Sequence, residues 1–347
     1  MKMKAVVLSQ VYDKETGKLG EVSCIETERP QIVEDDDVLI KIVYASVCGS
    51  DPHLLEGAFD LPVGSPVGHE LSGTVEALGT KAVLKNLKVG DKVTGNFYRT
   101  CLKCEKCQKQ KPQFCDHSIG WGAAHAQYIV WKEEQVYKLP EGVDLLEAAL
   151  SEPFNISVHA VELADIKVGD HVAVSGAGGI GLMVTQILKK CGAGRVTVLE
   201  PMEQKRQRAI EMGADHVINP LSDTAMAQVL KITGGDGFDA VIEASGNEIA
   251  AKNALDHAGR GAHIVLMSMY REDFELSINL LKYFYWKELR IQGMYLAQTS
   301  FQKSINLLPQ MNLKPVIEKI YTLDECKQAY ADQKSGKYAK LIFDCSK

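Results

Sequence analysis

At 347 residues the chain is too long for one core of ordinary size, and about two domains are expected. Apolar residues make up 46% and charged residues 24%, a globular mixture that argues against disorder. The formal net charge of −6 provides no general attraction to nucleic-acid phosphates or anionic membranes, so a small-molecule partner is expected, with no nucleic acid and no membrane.

The N-terminal run Met1-Lys2-Met3-Lys4-Ala5-Val6-Val7-Leu8 is too short for a signal-peptide core and suits a first strand. No stretch approaches the ~18–20 apolar residues of a membrane span, and a cytoplasmic protein is expected. Residues 1–154 read as β-rich with many Gly and Pro breaks; residues 38–44, 71–78 and 92–94 are strand-like, the last following the Val89-Gly90-Asp91 turn. Short strands without a long helical period suggest an irregular β-barrel or sandwich-like domain.

Within this half lie the residues with metal-binding chemistry. Cys48 stands in Cys48-Gly49-Ser50-Asp51-Pro52-His53, and His69 and Glu70 stand in Gly68-His69-Glu70. Cys101, Cys104, Cys107 and Cys115 follow as C-x2-C-x2-C-x7-C, and Glu152 precedes Pro153. Four thiolates at that spacing can close tetrahedrally on one structural zinc; iron–sulfur ligation, disulfides and free thiols are the competing readings. Lys103, Lys106, Lys109 and Lys111 would offset the thiolates' charge. Cys48, His69, Glu70 and Glu152 can meet only by folding. Three or four of them around one zinc, with an exchangeable position, would form a catalytic arrangement. Taken singly, Cys48 could be a small buried hydrophobe, His69 a core histidine and the two glutamates loop carboxylates.

From residue 155 the pattern alternates. Helical text over 155–163 leads to a strand at 171–175, a glycine cluster, a helix over 181–191, a strand at 195–200 and a helix over 203–212. Further strands follow at 216–218, 240–243 and 263–266, the pattern of a doubly wound parallel sheet. Gly176-Ala177-Gly178-Gly179-Ile180-Gly181 fits G-x-G-x-x-G between strand and helix, where a dinucleotide pyrophosphate meets the helix N-terminus. Glu200 ends the next strand, where an acid takes a ribose 2′-hydroxyl; this favours NAD over NADP, although Lys205 and Arg206 one turn on could soften the repulsion of a 2′-phosphate. Segments with Ser245 and Met267 follow strands at their C-terminal ends and are expected to line the nicotinamide, mostly through backbone.

In order and spacing, the text at 48–53, 68–70, 101–115, 152–153, 176–181 and 243–246 resembles the zinc-containing medium-chain dehydrogenase/reductase family, in its polyol dehydrogenase branch. That branch includes sorbitol, threonine, butanediol and galactitol-phosphate dehydrogenases. The resemblance covers nearly the whole chain. It implies an α/β protein: a GroES-like catalytic domain from residues 1–154, a Rossmann domain from 155–290, and a segment 291–347 returning to the catalytic domain, with the active site in the cleft. It implies two zinc ions per chain, the catalytic one on Cys48, His69 and Glu152, with Glu70 a direct ligand or one that moves in and out. Ser50 would lie beside the substrate oxygen and His53 would relay its proton to water. Zinc would serve as the Lewis acid on that oxygen and NAD as the hydride acceptor, so that a secondary alcohol of a polyol or sugar derivative becomes a ketone, reversibly. Butanediol-, threonine- or sugar-phosphate-type substrates are the alternatives within the branch, and a homodimer or homotetramer is expected. A nucleotide-binding zinc protein without catalysis, such as a redox sensor, and a zinc-free quinone reductase are the readings from other classes; the intact Cys48, His69 and Glu152 set argues against both.

Some text departs from the family. Leu54 stands where sorbitol dehydrogenases tend to have an aromatic, which speaks against plain sorbitol recognition. Arg99, His125 and Asn155 are candidate contacts for a polar or phosphorylated substrate, or else surface variation. Cys24, Cys191, Cys326 and Cys345 have no ligand-like spacing, and His159 is expected to be structural.

Overall fold

The computed structural model describes every residue of the chain except Trp121. It divides into two compact units: residues 1–155 with 297–347, and residues 156–296.

The first unit opens with β1 (Lys2–Gln10) and β2 (Glu21–Glu28), an antiparallel pair. Then come β3 (Asp37–Val47), α1 (Asp51–Leu55), β4 (Glu70–Leu78), β5 (Lys92–Gly95), β6 (Tyr98–Arg99), α2 (Glu105–Gln108), β7 (Ile119–Gly120), β8 (Tyr128–Lys132), β9 (Val136–Lys138) and α3 (Leu145–Ala148). The boundary between units falls inside α4 (Ser151–Leu163). β3 is the longest strand and the hub of a seven-stranded sheet. Its alternating Val38, Ile40 and Ile42 are buried with Leu71, Val93 and Phe343, and burying that apolar face is what fixes its register. Hub position matters for function, because β3 ends at Val47 and delivers Cys48 to the start of α1, while β4 begins at Glu70 beside Ser46 of β3.

The second unit contains β10 (His171–Ser175), α5 (Gly179–Lys190), β11 (Arg195–Leu199), α6 (Glu203–Glu211), β12 (His216–Ile218), α7 (Ala225–Ile232), β13 (Phe238–Glu243), α8 (Glu248–His257), β14 (Ala258–Leu266) and β15 (Arg290–Gly293). All six strands are parallel, in the order β12-β11-β10-β13-β14-β15. Every residue of β10 is buried, as expected of a central parallel strand covered on both faces. The chain winds outward through β11 and β12, then returns to the other side of β10 through β13. The strand order therefore reverses between β10 and β13, the place where doubly wound sheets bind ligands. Because β15 pairs with β14, this unit runs to Leu296, six residues past the limit of 290 that the sequence suggested.

The chain then re-enters the first unit through α9 (Phe301–Leu307), β16 (Ile317–Thr322), α10 (Cys326–Lys334) and β17 (Lys340–Asp344). β17 pairs antiparallel with β3 and completes the sheet order β16-β17-β3-β4-β5-β9, with β8 on β3. No helix among the described residues is long and apolar enough to cross a membrane.

Candidate active site and metal centres

Among the described residues, two groups of metal-ligating side chains form in the first unit. In one, a thiol, an imidazole and a carboxylate from Cys48, His69 and Glu70 bring their ligand atoms within 4.8 Å of one another. Twenty residues of sequence separate the thiol from the imidazole, and adjacent ends of β3 and β4 close that gap. Such a mixed sulfur, nitrogen and oxygen donor set suits zinc. The surroundings favour a cation there too. Burial works against a charge on His69, but the Cys48 thiolate, Asp51 and Glu152 outweigh it and hold the imidazole well above its ordinary pKa. Glu152, in the first turn of α4, is not among the three converging groups. It is nonetheless buried and close enough to His69 for their charges to interact, and burial pushes its carboxyl up to about 7.

Two residues that sequence reasoning passed over hold this group in place. Asp51 is buried; its carboxylate accepts the Cys48 backbone N–H at 2.8 Å and lies 3.8 Å from His69 Nδ1. Lys340 donates to both oxygens of Glu70, at 2.8 and 2.7 Å, with the lysine 3% and the glutamate 0% exposed. The available signal was a lone charge heading the apolar run Lys340-Leu341-Ile342-Phe343 of β17. A buried carboxylate deprived of its ammonium partner costs about 3–5 kcal/mol. Lys340→Met should lower stability by about that much in denaturant titration, and Glu70→Gln on the same background should recover most of it. A loss below about 1 kcal/mol in the single variant would contradict the pairing.

Ser50 occupies the N-cap position of α1, but its hydroxyl makes no capping bond, so a capping role does not account for it. His53, on the same helix, is 47% exposed at its side chain, and its Nδ1 lies 2.9 Å from Glu56 Oε2.

The second group comprises Cys101, Cys104, Cys107 and Cys115, all free thiols. Cys104 Sγ lies 3.6 Å from Cys107 Sγ and 3.8 Å from Cys115 Sγ, and Cys115 Sγ lies 3.4 Å from Cys101 Sγ. Four sulfurs held tetrahedrally at about 2.3 Å from zinc stand about 3.8 Å apart, whereas a disulfide needs about 2 Å. The backbone supports thiolates here. Cys104 and Lys103 donate their N–H groups to Cys101 Sγ, and Cys101 and His117 donate theirs to Cys115 Sγ. Backbone donors lower the Cys101 thiol and bring Cys104 down to about 6. The donor set and its spacing fit a closed structural zinc.

In the second unit the glycine turn follows β10 and opens α5. A Cβ on Gly176, which has φ +97°, would come within 2.9 Å of Ser245 Cβ, and one on Gly181 would lie 2.0 Å from Gly176 O; both glycines are demanded by the fold itself. Gly178 differs. Its backbone is extended, at φ −76° and ψ −175°, and a Cβ there would meet nothing within 4 Å. Packing gives no reason for a glycine at that point, but a ligand drawn against the N-terminus of α5 does. Gly178→Val should therefore leave the melting temperature close to wild type while weakening NADH binding about tenfold or more by titration. Equal affinity in the two proteins would contradict a dinucleotide at this turn. Gly179 is buried, and Ile180 half-buried, in the first turn of α5. Glu200 is buried just beyond β11, where it accepts N–H bonds from Ala177 at 3.0 Å and Met202 at 2.9 Å. Lys205 lies in the first turn of α6. Met267 donates its N–H to Glu243 O at 3.3 Å, and Ser245 donates both N–H and hydroxyl to the Glu243 carboxylate.

The three suggested substrate contacts all have protein partners, two of them in the core. His125 is fully buried, with Nδ1 3.1 Å from Tyr330 Oη and Nε2 3.1 Å from Ser46 O. Burial holds its pKa down, so it is a neutral core residue. Asn155 is also buried; it donates to Ala297 O and accepts from Ser300 and Ser304. Arg99 pairs with Glu134. Chain position alone could not reveal these partners, since the hydrogen-bonded ones lie at sequence separations of 79 to 205 residues for His125 and 142 to 149 for Asn155.

Comparison with known proteins identifies the family. Residues 34–141 match the model of the alcohol dehydrogenase GroES-like domain, and residues 179–310 match that of zinc-binding dehydrogenases. The chain is 33% identical over 316 residues to sorbitol dehydrogenase of Halalkalibacterium halodurans, spanning 88% of this chain and 90% of that one. A solved structure from Clostridium scindens, assigned as a zinc-binding dehydrogenase, is 34% identical with a TM-score of 0.93 and covers 99% of this chain and 100% of its own. Galactitol-1-phosphate dehydrogenase from Escherichia coli is 25% identical with a TM-score of 0.87, covering 99% of this chain and 100% of its own.

Proposed function

The chain belongs to the zinc-binding alcohol dehydrogenase family, and from that premise we propose that it oxidises a secondary alcohol of a polyol or sugar derivative to the ketone, reversibly, with NAD. The observation that carries this reading is the convergence of Cys48, His69 and Glu70.

In this reading Cys48 and His69 hold the catalytic zinc, with Glu152 or Glu70 as the carboxylate donor, and the four clustered cysteines hold the structural one. When bound, zinc supplies Lewis acidity to the alcohol oxygen and the nicotinamide takes the hydride. Asp51 fixes the peptide that carries Cys48. Lys340 holds both oxygens of Glu70, so that carboxylate would stay paired if it were not a ligand of the metal. Ser50 offers its hydroxyl to the substrate's proton, and half-exposed His53, backed by Glu56, passes the proton to water.

NAD is favoured over NADP for two reasons. The Glu200 carboxylate would oppose a 2′-phosphate, and Arg206, one of the two nearby cations, is engaged with the carbonyls of Glu200 and Pro201 and with the Glu203 carboxylate. Engagement of Arg99 by Glu134 likewise favours an uncharged polyol over a sugar phosphate. The test is NADH formation, read by absorbance, across polyols, inositols, amino alcohols and sugar phosphates, run in parallel with NADP. Turnover of an uncharged polyol with NAD is expected. Turnover of a phosphorylated substrate alone, or of none, would overturn the reading.

A further inference from the structure

The residue that ends β13, Glu243, is a carboxylate with no exposure at all. A buried charge of that kind is costly unless every oxygen is satisfied, so its partners show what it is for. They come from two loops. From the loop after β13, Ser245 donates its N–H at 2.8 Å and its hydroxyl, and Gly246 donates its N–H at 3.3 Å. From the loop after β14, Tyr270 donates its hydroxyl to the second carboxylate oxygen. The backbone repeats the junction. Met267 donates its N–H to Glu243 O, and a Cβ on Gly246 would lie 3.2 Å from Met269 O. Residues 271–279 beyond Tyr270 form neither helix nor strand, so the loop is tied to the sheet end close to its start, by the Tyr270 hydroxyl on the Glu243 carboxylate and by the Ser268 hydroxyl, which donates to Glu243 O at 3.4 Å.

These loops stand at the reversal of strand order. Glu243 is the register partner of Ser175, the last residue of β10, and the glycine turn begins at the next residue. Ala244 donates its N–H to Ser175 O at 2.9 Å, and Ser245 packs against Gly176 so closely that a Cβ there would clash at 2.9 Å. With Glu200 marking the adenosine half on the β11 side and the pyrophosphate on α5, the other half of a dinucleotide must extend toward β13 and β14.

We propose that Glu243 and Tyr270 are positioning residues for the nicotinamide half of the cofactor: the buried carboxylate clamps the loops after β13 and β14 to each other and to the glycine turn, touching no reacting atom itself. This rests on the dinucleotide reading of this unit given above. A hydrogen bond to a carboxylate is roughly twice as strong as one between neutral groups, so releasing one loop should be felt by a ligand that needs both.

The experiment compares two ligands that share the adenosine and pyrophosphate but differ in the nicotinamide. Tyr270→Phe keeps the ring, which packs 5.6 Å from that of Phe274, and removes only the hydroxyl. Titrated by calorimetry, the variant should bind NADH about tenfold more weakly than wild type, with ADP-ribose affinity within about twofold and a melting temperature lowered by no more than about 5 °C. Glu243→Gln should show the same selectivity for the nicotinamide half. Equal NADH affinity in Tyr270→Phe and wild type, or equal weakening of NADH and ADP-ribose, would overturn the proposal while leaving the dinucleotide reading intact. Wild-type protein binding neither ligand would overturn that reading and this one with it.

Discussion

Replacing Cys48 with serine is expected to lower alcohol-dependent NADH formation by ~10³-fold or more without unfolding the protein. Cys48 lies at the hinge between β3 and α1, half-buried, and its peptide N–H, not its sulfur, is what Asp51 holds. Serine preserves that bond and nearly the same volume but removes the soft anionic ligand, and several kcal/mol of charge stabilisation at the alcohol oxygen should go with it. The check is kcat together with melting temperature. Activity within tenfold of wild type would show that the thiol does not serve the chemistry; a collapse of the fold would show that it is a packing residue instead.

The second large effect concerns the four-cysteine loop. Neither α2 nor the short helical turn over residues 112–114 buries any residue, so this loop has almost no apolar core of its own. Metal binding and folding are then one equilibrium, worth about 10–16 kcal/mol in isolated zinc-binding peptides. Cys104→Ser, or prolonged chelation of the wild type, should open the loop. Trypsin offers a direct reading, because Lys103, Lys106 and Lys109 lie within it, each followed by a residue other than proline. Cleavage at these lysines should accelerate at least tenfold, about 1.4 kcal/mol of local opening free energy, while the parallel sheet of the second unit stays resistant. An equally resistant Cys104→Ser protein would mean that the loop is held by something other than a metal.

How much of this could be read from the chain depended on the range of each interaction. The glycine turn and the cysteine cluster are local patterns, written in 6 and 15 consecutive residues, and the structure sets both in the expected context of strand, turn and helix or of converging thiols. The parallel sheet was legible from its alternation of strands and helices, apart from β15, whose short Arg290-Ile291-Gln292-Gly293 has too few apolar residues to declare a strand; pairing with β14 makes it one. The meeting of Cys48 with His69 came from resemblance, not pattern, since nothing in the spacing requires it; the resemblance put Glu152 third with Glu70 beside it, whereas the carboxylate that converges on the thiol and imidazole is Glu70. Lys340 was not legible because its partner is 270 residues away, and the clamp on Glu243 was hidden for the same reason on a shorter scale, Tyr270 lying 27 residues on. His125 and Asn155 show the opposite error. Polar residues in loop-like text suggest ligand contacts, yet both are buried and satisfied by protein groups.

Zinc per chain, measured by elemental analysis on freshly purified wild type and Cys48→Ser side by side, tests the central claim most directly. Two ions in the wild type and one in the variant, with activity lost alongside the missing ion, is the predicted result. A single zinc in the wild type, or two retained in Cys48→Ser, would contradict a catalytic metal held by the converging thiol, imidazole and carboxylate.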